Sequence, residues 1–216
     1  MKHFNLIILF IISSFFVKAQ GNRPFYNEIS YFKKQDSIQF PPKNAVLFVG
    51  SSTFTNWKDA QKYFPNHVIV NRGFGGSSLP HVIEYANDII FPYQPKQIVI
   101  YCGENDFTGN ATAQVVVDRV KELFKLIRNK YPKVYIAYIS IKPSPSREKY
   151  LPQMLAANKM IEEMIRSMKR VRFINTYDAM FTANGQIMND IFLKDNLHMN
   201  AKGYAIWAKI MEPYLK

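Results

Sequence analysis

Four short stretches, far apart in the chain, carry the side chains that acyl transfer requires. Gly50-Ser51-Ser52-Thr53 offers hydroxyls directly after an apolar run. Gly76 lies in a glycine- and serine-rich segment, and Asn105 follows Gly103-Glu104. Asp195 precedes His198 by one turn's worth of chain. A serine hydroxyl is a poor nucleophile at neutral pH and needs a base to remove its proton. Histidine is that base when a carboxylate fixes its tautomer and stabilises the imidazolium. The negative oxygen that forms on the attacked carbonyl then needs N–H donors around it.

Three histidines follow the first twenty residues: His67, His81 and His198. His67 opens a strand-like run and His81 comes early in a helical stretch after Pro80; neither has an acid at an orienting spacing. Asp195 and His198 do, which makes them the expected carboxylate and base. Ser51, Ser52 and Thr53 are all candidate hydroxyls, and Gly50 as the tight exit from a strand favours Ser52. That serine can also begin a helix, because free N–H groups at a helix start favour negative charge. Gly76 lets the backbone approach a substrate and turn its N–H inward. Asn105 can donate its side-chain amide to the same oxygen, whereas Asp106 suits a local turn. The expected oxyanion donors are therefore Ser52, Gly76 and Asn105.

These residues need a scaffold that brings them to one place. Runs at 45–50, 68–72, 97–103, 134–140 and 171–176 are almost continuously apolar and β-branched. Such strands belong to a parallel sheet covered on both faces. Between them lie helix-like segments: an entry around 25–35, one from Ser51 to Phe64, and one in which Val116, Val120, Phe124 and Ile127 form a stripe. Another spans about 148–170 with Leu151, Leu155, Met160, Ile161, Met164 and Ile165, and a last one contains Tyr204, Trp207 and Ile210 as core residues. Right-handed crossovers make this an α/β fold, a three-layer α/β/α sandwich. Ligands of such sheets bind beyond the carboxyl ends of the strands. The serine, Gly76 and Asn105 each follow a strand, and the loop at 141–147 rims the same edge.

The rest of the chain narrows the setting. Residues 1–19 read as a signal peptide: Lys2 and His3, an apolar run from Phe4 to Val17, and cleavage after Ala19. The run is shorter than the ~20 residues a spanning helix needs. The expectation is an exported, secreted or periplasmic protein, with residues 20–216 as one domain and no stable membrane insertion after cleavage. Cys102 is the lone cysteine of the 216 residues and sits in an apolar run, a core residue rather than a reactive thiol. The formal charge of +12 is spread along helical stretches, without the basic groove a nucleic-acid partner needs. There is no Gly-x-Ser-x-Gly elbow, no complete dinucleotide fingerprint and no phosphate loop. Metal-binding histidine pairs are absent as well, so neither a cofactor nor a metal is expected. Nothing in the sequence fixes an oligomeric state.

Over Val46 to Tyr204 the four blocks resemble the GDSL/SGNH hydrolase superfamily. Its nucleophile, the third residue of the first block, matches Ser52; the second-block glycine matches Gly76 and the third-block asparagine Asn105. Its Asp-x-x-His block matches Asp195 and His198. The resemblance implies a flavodoxin-like fold with a five-stranded parallel sheet, and the activity of a carboxylic ester hydrolase. Ser51 stands where the family has aspartate, and Thr53 where leucine is typical. The branch related to platelet-activating factor acetylhydrolases and some carbohydrate esterases often has Gly-Ser-Ser there. The expected substrate is a short-chain acyl ester, above all an acetyl ester, of a small molecule or polysaccharide. Lysophospholipase or thioesterase action at the same site is the nearest alternative. A non-catalytic module binding an anion or flavin at the first loop is the alternative from another class.

Overall fold

The computed structural model of the protein describes residues 23–216, so the expected signal peptide and its cleavage point lie outside the described residues. The strands are β1 (Val46–Gly50), β2 (Ile69–Gly73), β3 (Gln97–Tyr101), β4 (Tyr135–Ile139) and β5 (Val171–Ile174). All pair in parallel, in the order β2-β1-β3-β4-β5. The chain leaves β1 towards one edge and returns on the other side of it, so the order reverses between β1 and β3. That is the switch point at which the flavodoxin-like order opens a crevice. Gly50 is level with both Gly73 and Tyr101. The first three sequence blocks therefore leave the sheet at one height.

Successive strand residues point to opposite faces, and both faces are dry. Leu47, Val49, Ile98, Ile100, Ile136 and Tyr138 pack beneath α1 (Tyr26–Ile38), α4 (Leu79–Glu84), α5 (Ala86–Ile89), α7 (Ala113–Lys130) and α8 (Leu151–Arg166). Val46, Phe48, Val99, Tyr101 and Ile139 pack against α2 (Ser52–Asn56) and α9 (Ala201–Met211). The second face is the aromatic one, with Trp57 stacked on Tyr204 at 4.7 Å and Tyr101 edge-on to Trp207 at 4.9 Å. Cys102 is fully buried in the first face, as expected, and burial pushes its thiol pKa up. None of the described helices is long and apolar enough to cross a membrane.

Two helix expectations need correction. The stretch from Ser51 to Phe64 is not one helix: α2 ends at Asn56 and α3 (Ala60–Tyr63) follows. Trp57 leaves helical geometry to enter the core, and the Phe54 carbonyl at the helix end accepts both the Trp57 N–H at 3.1 Å and the Asn71 amide at 2.7 Å. The segment expected from about 148 begins at Leu151, with Pro152 in its first turn, where its missing N–H costs nothing. Its inner stripe is Met154, Ala157, Ile161 and Ile165, while Leu155 faces solvent.

Candidate active site

Gly50 closes β1 at φ +145°, and a Cβ there would lie 1.9 Å from the carbonyl oxygen of Tyr101. Only glycine fits this exit. It brings Ser51 alongside β3, with the Ser51 N–H bonded to that same carbonyl at 3.0 Å. Ser51 is extended and α2 starts one residue later, which sends the two neighbouring hydroxyls in different directions. Ser51 is buried, and its Oγ accepts a hydrogen bond from the Asn105 amide at 2.9 Å. Ser52 is half-buried, and its Oγ lies 3.0 Å from Nε2 of His198. Thr53 is buried, its carbonyl receiving the Tyr204 hydroxyl at 2.8 Å. Of the three candidate hydroxyls, the one on the histidine is Ser52.

His198 comes from an irregular loop that precedes α9. Asp195 organises that loop: its Oδ1 accepts the backbone N–H groups of Leu197 at 2.9 Å and His198 at 3.0 Å. Its Oδ2 lies 2.6 Å from Nδ1 of His198. A carboxylate at Nδ1 requires the proton there, which leaves the Nε2 lone pair facing the Ser52 hydroxyl. Burial alone would raise the Asp195 pKa. The hydrogen bonds from the His198 ring and from the His198 and Leu197 amides outweigh it and hold the carboxyl at about 2. The loop at 141–147 does rim this edge, since the Ser146 N–H bonds to the Asn196 carbonyl at 3.0 Å.

The other histidines serve elsewhere. His81 Nδ1 accepts from the Ser78 N–H at 3.1 Å and closes a cap at the start of α4. His67 Nε2 is 3.4 Å from Glu212 Oε1, an acid too distant in sequence for any spacing argument to find.

On the donor side, Gly76 has φ +78°, and a Cβ there would touch only the Phe25 ring at 3.7 Å. Neither its N–H nor that of Ser52 has a hydrogen-bond partner among the described residues. The Asn105 amide is committed to Ser51 Oγ and, at 3.0 Å, to the Ser77 carbonyl. Ser77 is fully buried and bonds back to the Gly50 carbonyl at 3.2 Å, so the first three blocks are tied together. Asp106 is not a turn residue: it is buried in α6 (Glu104–Thr108), accepting from the Leu79 N–H at 3.1 Å and Arg119 at 2.7 Å. Burial raises its pKa, and those two donors partly offset the rise. Sequence reasoning also passed over Ser51 as the acceptor for Asn105, and over Glu104 and Lys142. The contacts of Ser51 with Asn105 and of Glu104 with Lys142 span 54 and 38 residues, so no local signal marks them.

A cavity of about 710 Å3 opens beside this edge, lined in part by Tyr31, Phe32, Thr55, Lys58, Asn71 and Phe74. Thr55 shares the short helix of Ser52, and Phe74 stands two residues before Gly76. No group of three or more His, Cys, Asp or Glu side chains among the described residues has metal-holding geometry.

With this geometry in hand, residues 44–206 match the model of the GDSL-like Lipase/Acylhydrolase family. Solved structures share the fold. One from Streptococcus pneumoniae, described as a candidate platelet activating factor, is 21% identical with a TM-score of 0.78, covering 88% of this chain and 92% of its own. A GDSL-like lipase from Bacteroides thetaiotaomicron is 18% identical at 0.74, covering 86% and 96%. A carbohydrate esterase family 3 protein from Talaromyces cellulolyticus is 17% identical at 0.59, covering 79% and 95%. No curated protein matches the chain.

Proposed function

From its place in the GDSL-like lipase/acylhydrolase family, to which this chain belongs, we propose that the protein is an exported serine esterase that removes short acyl groups, acetyl above all, through an acyl-enzyme. His198 takes the proton of Ser52 as the serine oxygen attacks the ester carbonyl. The tetrahedral oxyanion is held by the N–H groups of Ser52 and Gly76 and by the Asn105 amide, which shares the hydrogen it directs at Ser51. His198 then protonates the leaving alcohol. Water, activated by the same imidazole, releases the acid. Asp195 keeps the ring oriented throughout.

The observation that carries this reading is the chain of contacts from Asp195 through His198 to Ser52, 2.6 and 3.0 Å long. The non-catalytic alternative, an anion or flavin held at the first loop, gives no reason for that relay. Two features support a carbohydrate ester as substrate. The cavity that reaches α2 at Thr55, three residues beyond Ser52, is lined by the aromatic side chains of Tyr31 and Phe32 together with the polar side chains of Lys58 and Asn71, walls suited to a sugar. One structural relative is itself named a carbohydrate esterase. Residues 1–19 supply the export signal in this proposal, and neither a nucleic acid nor a cofactor takes part.

The test is turnover of p-nitrophenyl acetate by purified protein and by Ser52→Ala. The variant should fall to the uncatalysed background while the parent turns over; equal rates would remove Ser52 from the reaction. Release of acetate from acetylated xylan, set against hydrolysis of lysophospholipid and of longer p-nitrophenyl esters, then decides the substrate class. Faster lysophospholipid turnover would replace the carbohydrate reading.

A further inference from the structure

The first-loop hydroxyls and the base account for the exposed part of the site but leave a buried ion pair behind it without a task. Lys142 is 1% exposed and Glu104 7%, and their side chains meet at 3.0 and 3.1 Å. Tyr101 donates its hydroxyl to Glu104 at 2.7 Å, and Ser144 approaches the same carboxylate at 3.4 Å. Lys142 then reaches past Glu104 and donates to the carbonyl of Leu197 at 2.8 Å. Its ammonium also lies over the Phe192 ring, 5.7 Å from the centroid. Leu197 stands between Asp195 and His198, and Glu104 immediately precedes Asn105.

A buried ion pair is a poor way to stabilise a fold, because desolvation opposes the Coulombic gain and apolar residues of similar size do as well or better. This pair is placed where it joins the two halves of the site. Its carboxylate belongs to the start of α6, which carries Asn105, and its cation grips the irregular loop that carries His198. We propose that Glu104 and Lys142 are positioning residues, a buried brace that holds the Asp195–His198 loop in register with Ser52 and the oxyanion donors. The brace rests on the reading of Ser52 and His198 as the reacting pair. Neither Glu104 nor Lys142 touches the substrate. Their effect is on the separation of Oγ and Nε2, where an error of about 1 Å can cost about 100-fold in rate.

The test pairs Lys142→Met with Glu104→Gln in one protein, in a background where Ser52→Ala has already been found inactive, so that failure of the brace and failure of the serine mechanism are told apart. Gln keeps an acceptor for Tyr101, and Met fills the lysine's volume without leaving a lone buried charge. The expected result is a Tm equal to or above that of the parent with kcat on p-nitrophenyl acetate reduced about 10- to 100-fold and KM unchanged. A purely structural pair would give parental kcat once Tm is restored, and that result overturns the proposal. Should the double variant not fold, Glu104→Asp alone carries the test, because it keeps a carboxylate beside Lys142 and draws the anchor back by one methylene without leaving a lone buried charge. A kcat reduced about fivefold or more at unchanged KM supports the brace, and a parental kcat refutes it.

Discussion

The two halves of the site are held by different physics. The donor half is made of strand ends: Gly50, Gly73 and Tyr101 share one level of the sheet, and Ser51, Ser77, Glu104 and Asp106 around them are buried. The base half is an irregular loop in which the Asp195 and His198 side chains are 46% and 23% exposed. It is kept in shape by hydrogen bonds to one carboxylate, by the 141–147 loop and by Lys142. In the first half, therefore, the groups proposed for chemistry also support the fold. In the second they are separable from it. Activity and stability should fall together when the donor half is damaged, and activity should fall alone when the base half is.

The sharpest break is His198→Ala. Loss of the base should reduce kcat/KM by about 10⁴- to 10⁶-fold, the scale seen when one member of a cooperating set is removed. Because the ring is partly exposed and its backbone N–H remains bonded to Asp195, thermal unfolding should move little. A large drop in Tm in this variant would erase the contrast between the halves.

Asn105→Ala comes next, on the other side. Removal of one oxyanion donor typically costs about 10²- to 10³-fold in kcat. Here the same change strips the Ser51 hydroxyl and the Ser77 carbonyl of their donor in a buried setting, a penalty of about 1–3 kcal/mol. Calorimetry on the variant should register a lower Tm alongside the lost rate. Ser51→Ala, which removes the acceptor but leaves the amide in place, should cost only about tenfold. If Ser51→Ala proved as inactive as Ser52→Ala, the assignment of the two hydroxyls would have to be reversed.

The unequal legibility of the two halves follows from the same division. Strand positions, the parallel sheet and the order of the blocks could be read from the chain because near-continuous apolar runs admit few other arrangements. The Asp195–His198 pair was visible because its partners lie within one turn. What stayed hidden depends on tertiary neighbours. Ser51 reads as a duplicate of Ser52 until β3 brings Asn105 to it, and Lys142 reads as part of a loop until α6 supplies Glu104. Trp57 breaks the helix expected at 51–64 for the same reason, since the pull of the aromatic core is not encoded in local periodicity. His67 found its acid only through the fold.

The smallest effect tests whether the base loop holds its charge at all. The Asp195 carboxyl is lowered from 3.8 to about 2 once the ring and amide hydrogen bonds have overcome the burial penalty. A carboxyl with a depressed folded-state pKa contributes stability above its unfolded value and loses it as pH falls towards the folded one. The contribution should thus be complete at pH 5, decline from about pH 4 and be lost only as the pH falls below about 2. At 46% exposure the group is screened by solvent, which limits the effect on Tm to about 2 °C. Other carboxylates titrate across the same window, so the informative quantity is the Tm difference between the parent and Asp195→Asn. That difference should be positive at pH 5 and shrink to a small fraction near pH 2, because the neutral asparagine has no charge to lose. A gap that stays constant down to pH 2 would mean that the loop is fixed by the shape of the Asp195 turn and its backbone bonds rather than by the ionised carboxylate. The ordering of the ring would then have to be assigned to that turn together with Lys142 and the 141–147 loop.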